Sequence, residues 1–296
     1  MKHWKKGLIL IKIYNAKQLA NTTKEKIIKE IQYYITRGYR KPQLIVIQAN
    51  NDTSSDLYIN NKKRICDEVG VHCTHIKLEE SITTESILNL IKYYNSNKCI
   101  HGILVQLPLY KHLNKEKIMQ SISPEKDVDG FNYINIGKSY SGLTQLSPLT
   151  ALGVIDILKD NQVNIQGKHA VVLGRSMISG KPIADLLLQE DATVTICHSK
   201  TQNLKEICKQ ADILVTCMGV PKLINSTYIK DDAIVINVGF SNVDGKTYGD
   251  IDLEDIKVNS KVSIVTIVFN TTGLMTTINL AKSLMYCYKN LNGIEG

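Results

Sequence analysis

Apolar positions along the chain switch repeatedly between two periods. Through residues 19–37 they recur at helical spacing, and PQLIVIQA (42–49) then runs apolar almost without a break, as a strand does. A second helical stretch, LYINNKKRICDEVG (57–70), precedes a strand-like HCTHIKL (72–78) and a helix over 84–94. CIHGILVQLPL (99–109) is a strongly apolar run that ends in proline, the pattern of a buried parallel strand. In the later half KHAVVLG (168–174), ATVTIC (192–197), ADILVTC (211–217), AIVINVG (233–239) and KVSIVTIV (261–268) are regularly spaced strands. Helices over 182–189 and 204–210 separate the first three. The alternation predicts an α/β fold of two domains around a cleft, the second a Rossmann-type doubly wound sheet. The boundary falls near the Ser/Thr/Gly/Pro-rich 139–150, before a helix over 151–159; a last helix over 275–288 folds back onto the first half. The expected domains are therefore 1–150 joined by 275–296, and 151–274.

One residue breaks its pattern. On the 57–70 helix, which Thr53, Ser54, Ser55 or Asp56 could cap, Tyr58, Lys62, Ile65 and Val69 fall at i, i+4, i+7 and i+11, with Ile59 and Cys66 beside them. This inward stripe carries an ammonium group in its middle. The bland explanation is a snorkelling lysine whose stem covers apolar surface; the alternative is a lysine with a task.

Composition narrows the classes. A chain of 296 residues with 43% hydrophobic content can build two domains with real cores. No apolar run approaches the ~20 residues that span a bilayer. The start, MKHWKKGLILIKIYNAKQLA, is basic and then apolar, but short for a signal peptide and without a small-residue cleavage site. The expected compartment is the cytoplasm; this segment alone does not separate it from an organelle. Seven cysteines are scattered, odd in number and never spaced C-x-x-C, which suits buried thiols in a reducing compartment. The net charge of +8 comes from dispersed lysines with no nucleic-acid motif, and suits an anionic small molecule.

In VVLGRSMISGKP (171–182) a buried strand enters a glycine turn and then a helix, where Rossmann-type sheets bind pyrophosphate. The G-x-G-x-x-G fingerprint is absent because Ser176 holds its middle glycine position. A P-loop is excluded, since five residues separate Gly174 from Gly180 and Pro182 follows Lys181. The next strand ends in His198-Ser199-Lys200, without the carboxylate that accepts a ribose 2′-OH in NAD enzymes. Arg175 and Ser199 would meet a 2′-phosphate instead, so NADP is the expected cofactor; a tight turn that binds nothing is the bland alternative. DVDG (127–130) lacks the spacing of a calcium loop. His72 and Cys73 point to opposite faces of a strand. No metal is expected.

Taken in order, YINNKKRICDEVG (58–70), GILVQLPL (102–109), PEKDVDGFN (124–132), GRSMISGKP (174–182), TVTICHSKT (193–201), ADILVTCMGVP (211–221) and VINVGF with GDID (235–252) resemble one family. It is the bifunctional methylenetetrahydrofolate dehydrogenase/methenyltetrahydrofolate cyclohydrolase. The resemblance runs from about Ile13 to the C-terminus. It implies folate bound between the first domain and the nicotinamide, NADP-dependent oxidation of 5,10-methylenetetrahydrofolate, and hydrolysis of the methenyl product to 10-formyltetrahydrofolate. It implies Lys62 as the catalytic lysine, Tyr58 stacking on the folate ring, Gln106 holding Lys62 and the reacting water, and Asp129 accepting from the pterin. Gly174, Arg175, Ser176, Gly180 and Ser199 fall on the cofactor side. The implied partners are tetrahydrofolate derivatives, with or without a polyglutamate tail, and a second copy of the chain paired through the cofactor domain.

Two segments depart from the family. Where it has Pro-x-Pro-Gly-Gly-Val-Gly-Pro-Met-Thr, this chain reads IVFNTTGLMT (267–276), keeping only Gly273, Met275 and Thr276. Threonine tolerates positive φ poorly, so either this loop takes another path or the nicotinamide pocket differs. SPLTALG (147–153) replaces Pro-Cys-Thr-Pro-x-Gly, with Leu149 and Ala151 at the Cys and second Pro positions. The alternatives to the bifunctional enzyme are a cyclohydrolase with weak or lost dehydrogenase activity, and a non-catalytic nucleotide-binding protein of the same fold.

Overall fold

The computed structural model describes residues 12–266 and 271–294. In chain order the elements are β1 (Lys12–Tyr14), α1 (Lys17–Ile35), β2 (Gln43–Gln48), α2 (Thr53–Val69), β3 (His72–Lys77), α3 (Thr84–Ser96), β4 (Gly102–Gln106), α4 (Lys115–Gln120) and α5 (Tyr133–Tyr140). Then come α6 (Leu149–Asp160), β5 (His169–Leu173), α7 (Gly180–Gln189), β6 (Thr193–Cys197), α8 (Leu204–Cys208), β7 (Ile213–Thr216) and β8 (Ile234–Asn237). The hairpin β9 (Phe240–Val243) and β10 (Lys246–Gly249), α9 (Leu253–Asn259), β11 (Ile264–Thr266) and α10 (Gly273–Leu291) complete the chain.

The chain divides into two compact units. One holds Leu19–Leu149 and the residues from Thr276 onward, built on a parallel three-stranded sheet in the order β3-β2-β4. Side chains of β2 and β4 alternate between its faces. Leu44, Val46 and Leu104 pack with Ile27 and Ile31 of α1, Ile59, Cys66 and Val69 of α2, and Leu284 and Tyr288 of α10. Ile45, Ile47, Ile103 and Val105 pack on the opposite face with Ile87 and Ile91 of α3. Residues 103 and 127 form a parallel bridge, so the segment ending at Gly130 runs alongside β4.

The other unit holds Thr150–Met275 and the described residues up to Gln18. Its six-stranded sheet, β1-β11-β8-β7-β5-β6, is parallel throughout. The N-terminal strand departs from the 1–150 grouping: β1 hydrogen-bonds to β11 at this sheet's edge, and Tyr14 Oη donates to Asp160 at 2.5 Å. A three-residue strand is too short to announce its sheet through periodicity.

Lesser differences concern helix ends. The N-cap of α2 is Asp52, one residue before the expected run, and its carboxylate accepts the backbone N–H groups of Ser54 and Ser55. α6 starts at Leu149 and α10 at Gly273. The altered positions Ile267, Phe269 and Asn270 lie outside the described residues. Thr271, at a family glycine, is buried. All seven cysteines are free thiols, four of them buried. Among the described residues, no helix is long and apolar enough to cross a membrane.

Candidate active site

In the three-stranded unit β2 leads through α2 to β3 on one side, while β4 pairs on the other. The crevice at the carboxyl ends of such diverging strands is where open α/β sheets bind ligands. Gln48 and Gln106 sit in register at those ends. Gln106 shares a sheet face with Leu104, the face that α2 covers, so it looks toward the inward stripe of α2. Lys62 Nζ donates to Gln106 Oε1 at 2.8 Å, and Gln106 Nε2 donates back to the Leu107 carbonyl at 2.7 Å. The amide is thereby fixed with its oxygen toward the lysine. On the stripe itself Ile59, Ile65, Cys66 and Val69 are buried, whereas Tyr58 and Lys62 are half-buried.

Burial pulls the Lys62 ammonium below the ordinary lysine range, and the Asp129 carboxylate opposes it. Although some of the lysine stem meets solvent, its charged end lies deep among protein atoms, and that end sets the titration. Asp129 shows the reciprocal effect. Burial, helped by the neighbouring Asp127, pushes its carboxyl up to about 6, against the opposing pull of Lys62. Asp129 rides on the strand-like segment beside β4. The 103–127 bridge places it level with Val105, next to Gln106. The structure thus brings Tyr58, Lys62, Gln106 and Asp129 together in one unit. A half-buried carboxylate with no protein hydrogen-bond donor among the described residues suits ligand N–H groups.

The six-stranded sheet has its own switch point between β5 and β7, since β6 lies on the far side of β5. There a cavity of about 370 Å³ is lined by Gly174, Arg175 and Ser176 after β5, His198 and Ser199 after β6, and Met218 and Val220 after β7. Gly174 has φ +133°, and a Cβ there would stand 2.6 Å from the Cys217 carbonyl oxygen. Gly180, the first residue of α7, packs its Cα so tightly on the Gly174 carbonyl that no side chain fits. Ser176 Oγ and Ser179 Oγ hydrogen-bond at 2.7 Å, and Ser179 makes no side-chain cap to α7, whose N-terminus stays open to an anion. Arg175 and Ser199 are exposed at the rim of this cavity. Among the described residues no carboxylate lines it, so the donor set fits a phosphorylated ribose.

Sequence reasoning did not single out Asp250. Fully buried, it accepts the N–H groups of Met218 and Val220 at 2.7 and 2.9 Å, shaping the turn that lines the cavity. Its signal in the sequence is the GDID stretch (249–252), a carboxylate among apolar neighbours close to the β7–β8 region. Lys126 was likewise overlooked. It is 4% exposed, and its ammonium donates to the carbonyls of Tyr94, Asn95 and Asn97, closing the C-terminus of α3.

A Rossmann-type sheet with a glycine-turn cavity in one unit, and a half-buried lysine–glutamine–aspartate cluster in the other, define a nucleotide-dependent enzyme of the two-domain α/β class. Comparison with known proteins supplies the family. The model of the tetrahydrofolate dehydrogenase/cyclohydrolase catalytic domain matches residues 14–129, and that of its NAD(P)-binding domain matches 148–292. The chain belongs to the tetrahydrofolate dehydrogenase/cyclohydrolase family. It is 46% identical over 269 residues to the bifunctional protein FolD of Clostridium tetani, covering 90% of this chain and 96% of that one. The crystal structure of the Campylobacter jejuni bifunctional enzyme FolD superposes with a TM-score of 0.91 at 36% identity, covering 95% of this chain and 99% of that one. The Trypanosoma brucei methylenetetrahydrofolate dehydrogenase-cyclohydrolase, complexed with NADP cofactor and inhibitor, gives 0.88 at 30% identity, with 95% and 98% covered.

Proposed function

We propose that this chain is a bifunctional one-carbon enzyme that oxidises 5,10-methylenetetrahydrofolate with NADP and hydrolyses the methenyl product to 10-formyltetrahydrofolate. The observation that carries the reading is the Lys62–Gln106 bond of 2.8 Å beside the Asp129 carboxylate, which meets no donor among the described residues. In this reading the unit of Leu19–Leu149 and the residues from Thr276 onward carries the folate chemistry, and that of Thr150–Met275 holds the cofactor.

For hydrolysis, water adds to the cationic bridging carbon of the methenyl group and loses a proton; a ring nitrogen then gains one as its C–N bond breaks, and the hydroxyl releases its remaining proton to solvent as the formyl C=O forms. Lys62, with its proton affinity lowered by burial, takes the first proton and returns it to the departing nitrogen. Gln106 holds the Lys62 Nζ and, through its fixed amide, orients the attacking water. Asp129 accepts from the paired pterin N–H donors, and Tyr58 stacks on the ring system. NADP, when bound, supplies the hydride acceptor. Gly174, Ser176 and the α7 N-terminus at Gly180 hold its pyrophosphate, and Arg175 with Ser199 its 2′-phosphate. The protein's task in oxidation is placement.

The replaced family prolines and glycines over 267–274 favour a second reading, a cyclohydrolase with weak or lost dehydrogenase activity. One experiment separates them: NADP-dependent absorbance with methylenetetrahydrofolate, run beside the decay of methenyltetrahydrofolate. The bifunctional enzyme shows both activities. Methenyl decay without NADPH formation leaves the second reading; decay no faster than the uncatalysed background removes both. A homodimer acting in the cytoplasm, on folates with or without polyglutamate, completes the proposal. It is supported by the resemblance of the motifs.

A further inference from the structure

The mechanism uses Asp129 and leaves its neighbour two residues earlier without a role. Asp127 is 1% exposed, yet it carries a carboxylate. One oxygen accepts the backbone N–H of Gly130 at 3.1 Å. The other accepts the Asn132 N–H at 2.8 Å and Asn135 Nδ2 at 3.1 Å. These bonds close the loop immediately after Asp129. Gly130 turns there with φ +71°, and a Cβ on it would meet the Ser147 carbonyl carbon at 2.8 Å. On the other side the main chain is fixed too: the Ile103 N–H donates to the Lys126 carbonyl at 2.7 Å, and the Lys126 side chain is locked into the end of α3. Among the described residues Asp129 has no hydrogen-bond donor, so the backbone to either side sets its place.

We propose that Asp127 is a positioning residue for the folate reaction: it ties the Gly130–Asn132 turn and thereby holds the Asp129 carboxylate beside Lys62. The proposal rests on the reading that Asp129 binds the pterin. Asp127 never touches substrate and acts through its neighbour. Its negative charge adds a second influence, raising the proton affinity of Asp129. The other groups facing this pair are Lys62 of α2, which interacts in turn with Cys66 and Cys73, and Cys287 of α10, whose thiol burial pushes up with the Asp127 charge adding to it.

Asp127→Asn keeps one acceptor oxygen, which can serve Asn132 and Asn135, but sets an amide N–H₂ against the Gly130 N–H. The expected result is a folate KM raised about tenfold or more, within the roughly hundredfold that a 1 Å misplacement can cost. NADP affinity, which belongs to the other unit, stays unchanged. The acid limb of the KM profile moves to lower pH, because Asp129 loses a like charge. The deciding measurement is a double-mutant cycle with Asp129→Asn. If Asp127 acts through Asp129, adding Asp127→Asn to Asp129→Asn leaves KM where the single Asp129 variant put it. Multiplicative losses in the double variant, or a wild-type KM in Asp127→Asn, would overturn the proposal. A wild-type KM in Asp129→Asn alone would instead sink the underlying reading. Should Asp127→Asn fail to fold, Asn135→Ala, which removes the side-chain donor to Asp127 together with its bond to the Pro124 carbonyl, enters the same cycle under the same criterion.

Discussion

Replacing Lys62 by methionine separates the two explanations of a lysine on an apolar stripe. Methionine keeps most of the stem's length and its contacts along α2, and removes only the charge and the donor. Proton transfer by a placed side chain contributes on the order of 100- to 10,000-fold, so methenyl hydrolysis should fall by that much. Stability should move differently. Burial lowers the proton affinity of Lys62 in the folded state, so the unfolded chain binds this proton more tightly. The lysine's contribution therefore improves as pH rises toward the ordinary lysine range, and at neutral pH the buried charge costs the fold. Methionine removes that cost and also loses the bond to Gln106. A charged-donor bond of this kind is worth about 1.5–3 kcal/mol when its partner is stranded, less here because Gln106 is half-buried and reaches water. The two effects offset, and Tm should hold within about 3 °C or rise. Methenyl absorbance decay, a thermal melt and an NADP fluorescence titration measure the three quantities. Hydrolysis within about threefold of wild type would end the catalytic assignment, given the range above. A Tm lower by about 6 °C or more would mark Lys62 as a structural prop, since that is the loss of a full charged bond at ~2 °C per kcal/mol.

Arg175→Ala should weaken NADP binding about tenfold or more while leaving NAD nearly untouched, because a charged donor to the 2′-phosphate is lost. Equal losses for both nucleotides, in paired titrations, would remove Arg175 from that role. Asp129→Asn should stabilise the protein above neutral pH. The folded carboxyl titrates at about 6, above its unfolded value, so its ionisation costs the fold as pH rises through that point. Melts should show a gain of about 1–3 kcal/mol near pH 8 that closes by about pH 4, and a gain independent of pH would contradict this origin. In the wild type, folate KM should climb as pH falls through about 6, where the carboxylate that accepts the pterin N–H groups is lost. A flat KM across that window argues against an ionised Asp129 in binding.

Legibility from sequence followed burial. β5, β7 and β8 are covered on both faces, so their apolar runs are uninterrupted, and the strands were placed to within a residue or two. The hairpin β9–β10 escaped notice although Asp244-Gly245 carries its turn, both with positive φ, because its strands are largely polar and solvent-facing. At the site, Lys62 was visible as a charge on an apolar stripe. Gln106 was visible only through resemblance, since a polar residue at a strand end is common. Asp127 was hidden because its partners are mostly backbone N–H groups, with Asn135 Nδ2 beside them, and which groups a carboxylate meets is a property of the folded turn.

The N-terminal strand has a consequence for biosynthesis. Among the described residues β1 pairs only with β11, with residues 12 and 264 in register, so an early strand waits for one of the last. About 250 residues must follow it, which at ~5–20 residues per second keeps β1 unpaired for about 12–50 s. Meanwhile β2, β3 and β4 are complete by residue 106, but α10, which covers one face of their sheet, starts only at Gly273. Both units are therefore finished by the same late stretch of chain. Ribosome-bound chains stopped before β11 should expose an open sheet edge in one unit and an uncovered apolar face in the other.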